Sequence, residues 1–381
     1  MENAGHSPPG EIFRLFLRLG LTAFGGPAAH IGLMQREAVE RRGWMSRTQF
    51  LDLVGACNLL PGPSSTQVAM ALGYSRAGWL GLVTAGACFI LPASLATLAL
   101  AWAYVRYGSL PQAQGLLYGA KPVMVAIIVQ AVWNLGCMAF RRWQLALAGL
   151  VCFAAALAGA PPIAVLLAAG GLFLLMAWPR SRRGAAMGLA GLPAAAGGAA
   201  ASVGASGLLP LFLIFLKLGV VVFGSGYVLV AFLKADLVDR FHWITQPQLL
   251  DAITAGQLTP GPVFATATFL GYLLRGWSGA AVATAAIFLP SFLMAGLVGA
   301  LASRIRKSAQ AAAFLDGVNA AAVALMAAVA LSLGRATLID GWTWALGLLS
   351  ATLLLRFRVN ATWLILGGAA IGILLCRVPH I

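Results

Sequence analysis

The chain has 381 residues, of which 61% are hydrophobic and only 9% charged, with a mean hydropathy of +0.90. That leaves too little polar surface to cover a soluble globule of this size, so the composition excludes an ordinary soluble protein and points to a polytopic helical membrane protein. Its 25 Lys and Arg against 10 Asp and Glu, a net charge of +15, would suggest nucleic acid in a soluble chain; here most lie in short loops between apolar runs, as the positive-inside rule describes, and no nucleic-acid partner is expected.

From the N-terminus, Met1 to Gly10 lacks a basic stretch followed by a small-residue cleavage site, so the first apolar run is expected to be retained. Apolar segments fall at about 12–33, 50–73, 77–105, 118–140, 143–160 and 162–178, and again at about 208–233, 249–273, 277–302, 315–334, 342–355 and 361–376. Between the two sets, Arg180, Arg182 and Arg183 and the Gly- and Ala-rich stretch after them read as a flexible linker. The expected division is therefore a repeat over 1–178, a linker over 179–207 and a second repeat over 208–381.

The two sets are copies. Leu19-Gly20, Trp44, Asp52 and Pro61-Gly62-Pro63 return about 199 positions later as Leu218-Gly219, Trp243, Asp251 and Pro260-Gly261-Pro262. At an offset of about 198, Gly78-Trp79, Leu91-Pro92 and Leu135-Gly136 return as Gly276-Trp277, Leu289-Pro290 and Leu333-Gly334. Duplicated halves in so apolar a chain point to a secondary transporter with its substrate site where the repeats meet.

The second segment of each half is interrupted at its centre, by Asn58-Leu59-Leu60-Pro61-Gly62-Pro63 and by Gln257-Leu258-Thr259-Pro260-Gly261-Pro262. Two prolines around a glycine cannot continue a helix. Broken backbone at membrane depth survives only where protein or a water-filled cavity satisfies it, so these segments are expected to be half-helix pairs that enter and leave on one side. With that re-entrant arrangement most loop cations gather on one face, leaving Arg106, Lys121, Lys234, Arg240, Arg275 and Arg335 on the other. Each half then has five true spans, which inverts the second repeat relative to the first. The expected fold is all-α, two inverted repeats of about five spanning helices plus a broken re-entrant segment, with both termini outside and the linker in the cytoplasm.

Three features of each half converge on a site. Arg18 and its repeat equivalent Lys217 sit inside apolar runs, where a cation costs about 2.5 to 3.5 kcal/mol and so faces a cavity, a partner or the interface. Phe24-Gly25-Gly26-Pro27 and Phe223-Gly224-Ser225-Gly226 allow close approach of another backbone or a ligand. After each Pro-Gly-Pro break, Ser64, Ser65, Thr66 and Gln67, or Thr266 and Thr268, stand beside the free N–H groups of a restarting helix, with Asn58 and Gln257 as matched polar residues before it. Such a pocket suits a small anion.

Acidic residues are few. Glu37 and Arg41, and Asp236 and Arg240, have the i,i+4 spacing of a surface ion pair beside the anchors Trp44 and Trp243. Asp52 and Asp251 open the broken segments, where they could N-cap the first half-helix; Glu37, Asp52, Asp236 and Asp251 are also the candidates to carry a coupling proton. The cysteines, Cys57, Cys88, Cys137, Cys152 and Cys376, are scattered singly and read as small buried hydrophobes, and the four histidines are too dispersed for a metal site. No HExxH, GxSxG, P-loop or paired-aspartate motif is present, so neither catalysis nor a cofactor is expected.

At Phe24-Gly25-Gly26-Pro27, the Trp44 loop and the two Pro-Gly-Pro breaks, the chain resembles the chromate ion transporter family in its long two-domain form, over nearly its whole length. The second half departs from the first motif, with Ser225 and Gly226 in place of Gly26 and Pro27. The resemblance implies export of chromate across the bacterial cytoplasmic membrane, conferring resistance, driven by the membrane potential or a proton gradient. Sulfate, of the same charge and nearly the same shape, is the alternative substrate. Membrane lipids are the other expected partners, with room for a homodimer.

Overall fold

A computed structural model describes residues 8–24, 26–58, 60–177, 207–222, 226–306, 309–357 and 359–375. Gly25, Gly224, Ser225 and all but the last residue of the linker lie outside them. Every regular element among the described residues is helical. The first repeat comprises α1 (Pro9–Thr22), α2 (Gly26–Gln35) running into a π-helical turn (Arg36–Arg41), α3 (Arg47–Asn58), α4 (Ser64–Tyr107), α5 (Pro111–Ala139), α6 (Trp143–Leu157) and α7 (Pro162–Ala177). The second comprises α8 (Leu208–Val221), α9 (Leu229–Leu233) between a 3-10 turn (Gly226–Val228) and a π-helical turn (Lys234–Arg240), α10 (Gln246–Leu258), α11 (Thr266–Arg306), α12 (Ala309–Thr337), α13 (Gly341–Phe357) and α14 (Ala361–Leu375).

The apolar runs that open each half are not single helices. α1 and α8, at 14 residues each, rise about 21 Å, short of the roughly 30 Å hydrocarbon core. Both stop before the glycine-rich break, and the element that follows comes back alongside, pairing Glu37 with Arg18 and Asp236 with Lys217. Among the described residues, four helical stretches are long and apolar enough to cross a membrane, Ser64–Tyr107, Pro111–Ala139, Val263–Leu297 and Ala312–Thr337.

α4 and α11 are each two helices joined by a sharp turn, at Ala77 and Gly78 (φ +57°) and at Arg275 and Gly276 (φ +61°). Gly73 lies against Gly81, and Gly271 against Gly279, so closely that a Cβ on any of them would strike the opposing backbone. Residues eight apart in a straight helix would be about 12 Å apart, so the limbs fold back on one another. The hydroxyls of Thr268 and Thr284, 2.7 Å apart, tie the second hairpin together. That places Thr268 between the limbs.

The first limb of each hairpin returns to where the broken segment began. The Arg76 guanidinium stacks over Trp44, 5.4 Å from its ring centroid, and Trp243 and Arg275 line one small pocket. The caps of α3 and α10 are Ser46 and Thr245, each in a reciprocal box with a glutamine, Gln49 and Gln248. Asp52 and Asp251 therefore do not cap; they sit one and a half turns in.

The halves exchange helices. The long limbs of α4 and α11 pack antiparallel, Trp79 meeting Gly296 and Gly86 meeting Phe292. α5 packs on α13 and α14 of the other half, while α12 packs on α6 and α7. Glycines set both contacts reciprocally: Gly119 against Gly368, and Gly317 against Ala169 and Gly170. Trp133, Trp143, Trp277, Trp342, Trp344 and Trp363 remain exposed on the outside, with Cys137, which is exposed where a buried position was expected.

Candidate functional site

The site is assembled where each half's Pro-Gly-Pro break meets the other half's first helix. The N–H of Gly62 donates to the carbonyl of Val222 at 2.7 Å, and the N–H of Gly261 donates to the carbonyl of Ala23 at 2.9 Å. Ala23 and Val222 are equivalent positions at the ends of α1 and α8, so the two bonds are one interaction made twice. Both glycines have positive φ, +116° and +100°, which L side chains rarely adopt. Their surroundings leave no room either: a Cβ on Gly62 would lie 2.6 Å from Gln67 Nε2 and 3.1 Å from Ser291 Oγ, and one on Gly261 2.8 Å from Ala93 Cβ. Gly20 and Gly219 let α1 and α8 lie against the turns of α4 and α11 that hold Pro92 and Pro290. The repeated Leu-Gly and Leu-Pro pairs thus serve packing.

The restarting helices point their N-termini at this crossing. Pro63 and Pro262 precede them, and no side chain caps either start. Ser64, Ser65, Thr66 and Gln67 are all buried. Thr266 is buried too, its hydroxyl donating to the Val263 carbonyl at 2.8 Å. Gln257 is buried and hydrogen-bonded to Tyr227, whereas its counterpart Asn58 is exposed. Gly26, with φ +81°, faces the Tyr227 hydroxyl. The halves are not equal contributors.

Several residues at the crossing were not foreseen. His30 is buried, with Nε2 3.1 Å from the Ala23 carbonyl and Nδ1 3.4 Å from Ser65 Oγ. A carbonyl only accepts, so Nε2 carries the proton and Ala23 receives two bonds. Thr97 and Thr259 share a hydrogen bond of 3.0 Å across the halves. Ser94 lies three residues before Thr97 on α4, and Ser291 of α11 lies beside Gly62. The readable signal was hydroxyls at i and i+3 beside Pro92, and a serine directly after Pro290.

Buried polar atoms without a partner lie on the segments that meet here: Thr66 Oγ1, Ser94 Oγ, Ser291 Oγ, Gln257 Nε2 and Gln67 Oε1. An unsatisfied buried polar group carries a desolvation penalty of about 1 to 3 kcal/mol, so such a set persists where something else satisfies it. Four of the five can donate. The carbonyl ends of α1 and α8, which would repel an anion, are occupied by the two glycine N–H groups, while two helix N-termini remain. The arrangement is a neutral set of donors in apolar surroundings, suited to an oxyanion.

The cations lie elsewhere. Arg18, half exposed, is ion-paired with buried Glu37, and Lys217 with Asp236 at 2.5 Å. Glu37 also receives Arg41 at 2.7 Å, as its spacing suggested, and Arg42. It is a buried hub of three guanidinium groups where a surface pair was expected. Burial works against its charge, but Arg42 and Arg18 outweigh it and hold the carboxyl below its ordinary 4.5. Asp52 is exposed; Asp251 is buried between Lys121 and Tyr104.

With this geometry in view, comparison with known families matches residues 10–175 and 209–373, two parts that coincide with the two halves, to the chromate transporter family. The chain belongs to the chromate transporter family. It is 34% identical over 377 residues to the chromate transport protein of Cupriavidus metallidurans, covering 97% of this chain and 94% of the relative. It is 33% identical over 341 residues to the chromate transport protein of Pseudomonas aeruginosa, covering 86% and 81%. No solved structure matches it. The chain is thus a multi-pass membrane protein of a transporter family, with an all-helical fold built from a two-part repeat.

Proposed function

We propose that the protein is a secondary active transporter that carries chromate out of the cytoplasm, conferring chromate resistance, with the dianion held at the crossing of the two Pro-Gly-Pro breaks. The observation that carries this reading is the set of buried donors without a partner, Thr66, Ser94, Ser291 and Gln257, on the segments of both halves that meet through Gly62 and Gly261. Chromate is the substrate by kinship with relatives bearing that name. The repeats are inverted across the membrane and the broken segments re-entrant; antiparallel packing of the equivalent long limbs and the return of Arg76 to Trp44 support both. Reciprocal contacts at the crossing suit alternating access, because exchanging the conformations of two inverted halves converts an inward-facing state into an outward-facing one. Arg18 and Lys217 reach substrate only if their pairs with Glu37 and Asp236 open, and so act as latches on each half's first helix.

Uptake of labelled chromate into inverted membrane vesicles, with sulfate as competitor, tests substrate and direction together. Accumulation that depends on an imposed gradient and that excess sulfate blocks weakly is the expected result. Sulfate uptake without chromate uptake, or accumulation only in right-side-out vesicles, would overturn it.

A further inference from the structure

About 10 Å along α4 from the crossing, seven residues from Thr97 to Tyr104, the molecule has a cavity of about 650 Å³. Lys121, Asp251, Tyr104, Gln114, Ser109 and Thr337 are among the residues that line it. Lys121 lies in the interior of α5, with Nζ 3.1 Å from Asp251 Oδ1, and Tyr104 donates to the other carboxylate oxygen at 3.0 Å. The carboxylate is buried, whereas the lysine side chain is 23% exposed. An ammonium has three N–H groups, so those not directed at Asp251 are available to the cavity. The cluster has no copy in the other repeat, where the matching positions are Asp52, Asn319 and Ala302.

We propose that this cavity is a second anion site, a waiting station in which a tetrahedral oxyanion binds the free N–H groups of Lys121 on its way to or from the crossing. Asp251 is the internal counter-ion: it fixes the ammonium and weakens its hold on the anion, so that the anion can leave. A metal cation does not fit, because the carboxylate that lines the cavity, Asp251, is already engaged by the Lys121 ammonium and the Tyr104 hydroxyl. The cavity volume suits an oxyanion with part of its water. Polar side chains lead inward along α4, through Tyr104 and Thr97 to Ser94, and the Thr97–Thr259 bond joins that row to the second break. This inference rests on the transport reading for the identity of its anion.

The two members of the ion pair make opposite predictions, which a purely structural pair would not. Equilibrium dialysis of labelled chromate against the purified full-length protein should show Lys121→Gln binding weaker, and Asp251→Asn tighter, than the parent, each by about twofold to fivefold, the scale of a partly solvated charge pair. Lys121→Arg should keep the binding, and the double variant should resemble Lys121→Gln. Elution in detergent and melting temperature identify any variant that has failed to fold, and Lys121→Arg then carries the comparison. Weakening by both single variants, no change in either, or an arginine variant as weak as the glutamine one would overturn the site. The two readings fail separately: vesicles that move no chromate while Lys121-dependent binding persists defeat the transport reading alone, and intact transport with unaltered binding in both variants defeats the waiting station alone.

Discussion

The N–H of Gly62 donates to the carbonyl of Val222, at the end of the other half's first helix. Gly261 and Ala23 repeat the bond in reverse. The two halves are thereby joined at the points where each half is broken, so that a relative motion of the breaks and the first helices must strain or break these two bonds.

Substitution of either glycine should be felt at once. Gly62→Ala and Gly261→Ala each force a side chain into a positive φ and into occupied space, with a backbone strain of about 1 to 3 kcal/mol. Thermal melts in detergent should fall for both, and chromate transport should be lost at matched membrane levels. Parent-like transport in both variants would remove the crossing from the mechanism.

The donors at the crossing can be deleted without touching the backbone. If the dianion binds as proposed, Thr66→Ala, Ser291→Ala and Gln257→Ala each remove one hydrogen bond to a charged acceptor, worth roughly 1.5 to 3 kcal/mol. The KM for chromate should rise at least tenfold in each, with the fold intact. Pro61→Ala combined with Pro63→Ala should do more, because a helix running through the break pairs several donors internally. Equal affinity in the proline variant and the parent would make the breaks hinges only.

The Lys217–Asp236 pair is the simpler of the two buried carboxylate clusters, because Glu37 has three guanidinium partners. Lys217→Ala leaves a buried carboxylate without its cation and should destabilise the protein by about 3 kcal/mol, the low end for a broken buried pair since Lys217 is partly exposed. Arg18→Ala should be milder, as Arg41 and Arg42 remain. Melting temperatures of the two variants measure the difference, and a larger loss for Arg18→Ala would contradict it.

The depressed Glu37 carboxyl gives a pH dependence with a definite sign. A group whose folded value lies below its unfolded one stabilises fully above the ordinary carboxylate range, and that contribution disappears as pH falls through the folded value. Stability should therefore drop between about pH 5 and the depressed value, and Glu37→Gln should flatten that part of the profile. A profile unchanged by the substitution would show that the hub does not couple to folding.

Inversion of the repeats is testable by labelling. With Cys137→Ser and Cys376→Ser as background, cysteines introduced singly at Gly43 and His242, beside the two anchoring tryptophans, should react from opposite sides of the membrane. Reaction from one side would place the repeats in parallel.

Much was legible in the residues alone. Apolarity set the membrane class, and recurrence of Pro-Gly-Pro, Trp44 and Asp52 at a fixed interval exposed the duplication, because equivalent halves need equivalent breaks. Pro61, Gly62 and Pro63 forecast broken backbone for a local reason: proline removes an N–H, and that holds in any fold. What the residues could not disclose was who satisfies whom. Gly62 serves Val222 and Gly261 serves Ala23, bonds between residues 160 and 238 positions apart in the chain, and only the exchange of helices brings them together. Asp52 and Asp251 looked alike in sequence, yet one is exposed and the other lies against Lys121, since burial belongs to the neighbours a helix acquires. Arg18 and Lys217 likewise read as cations awaiting a ligand, and the return of the next element alongside α1 and α8 supplied Glu37 and Asp236 instead. Local backbone chemistry was written in the sequence; the pairing of charges and donors was decided by the packing of one half into the other.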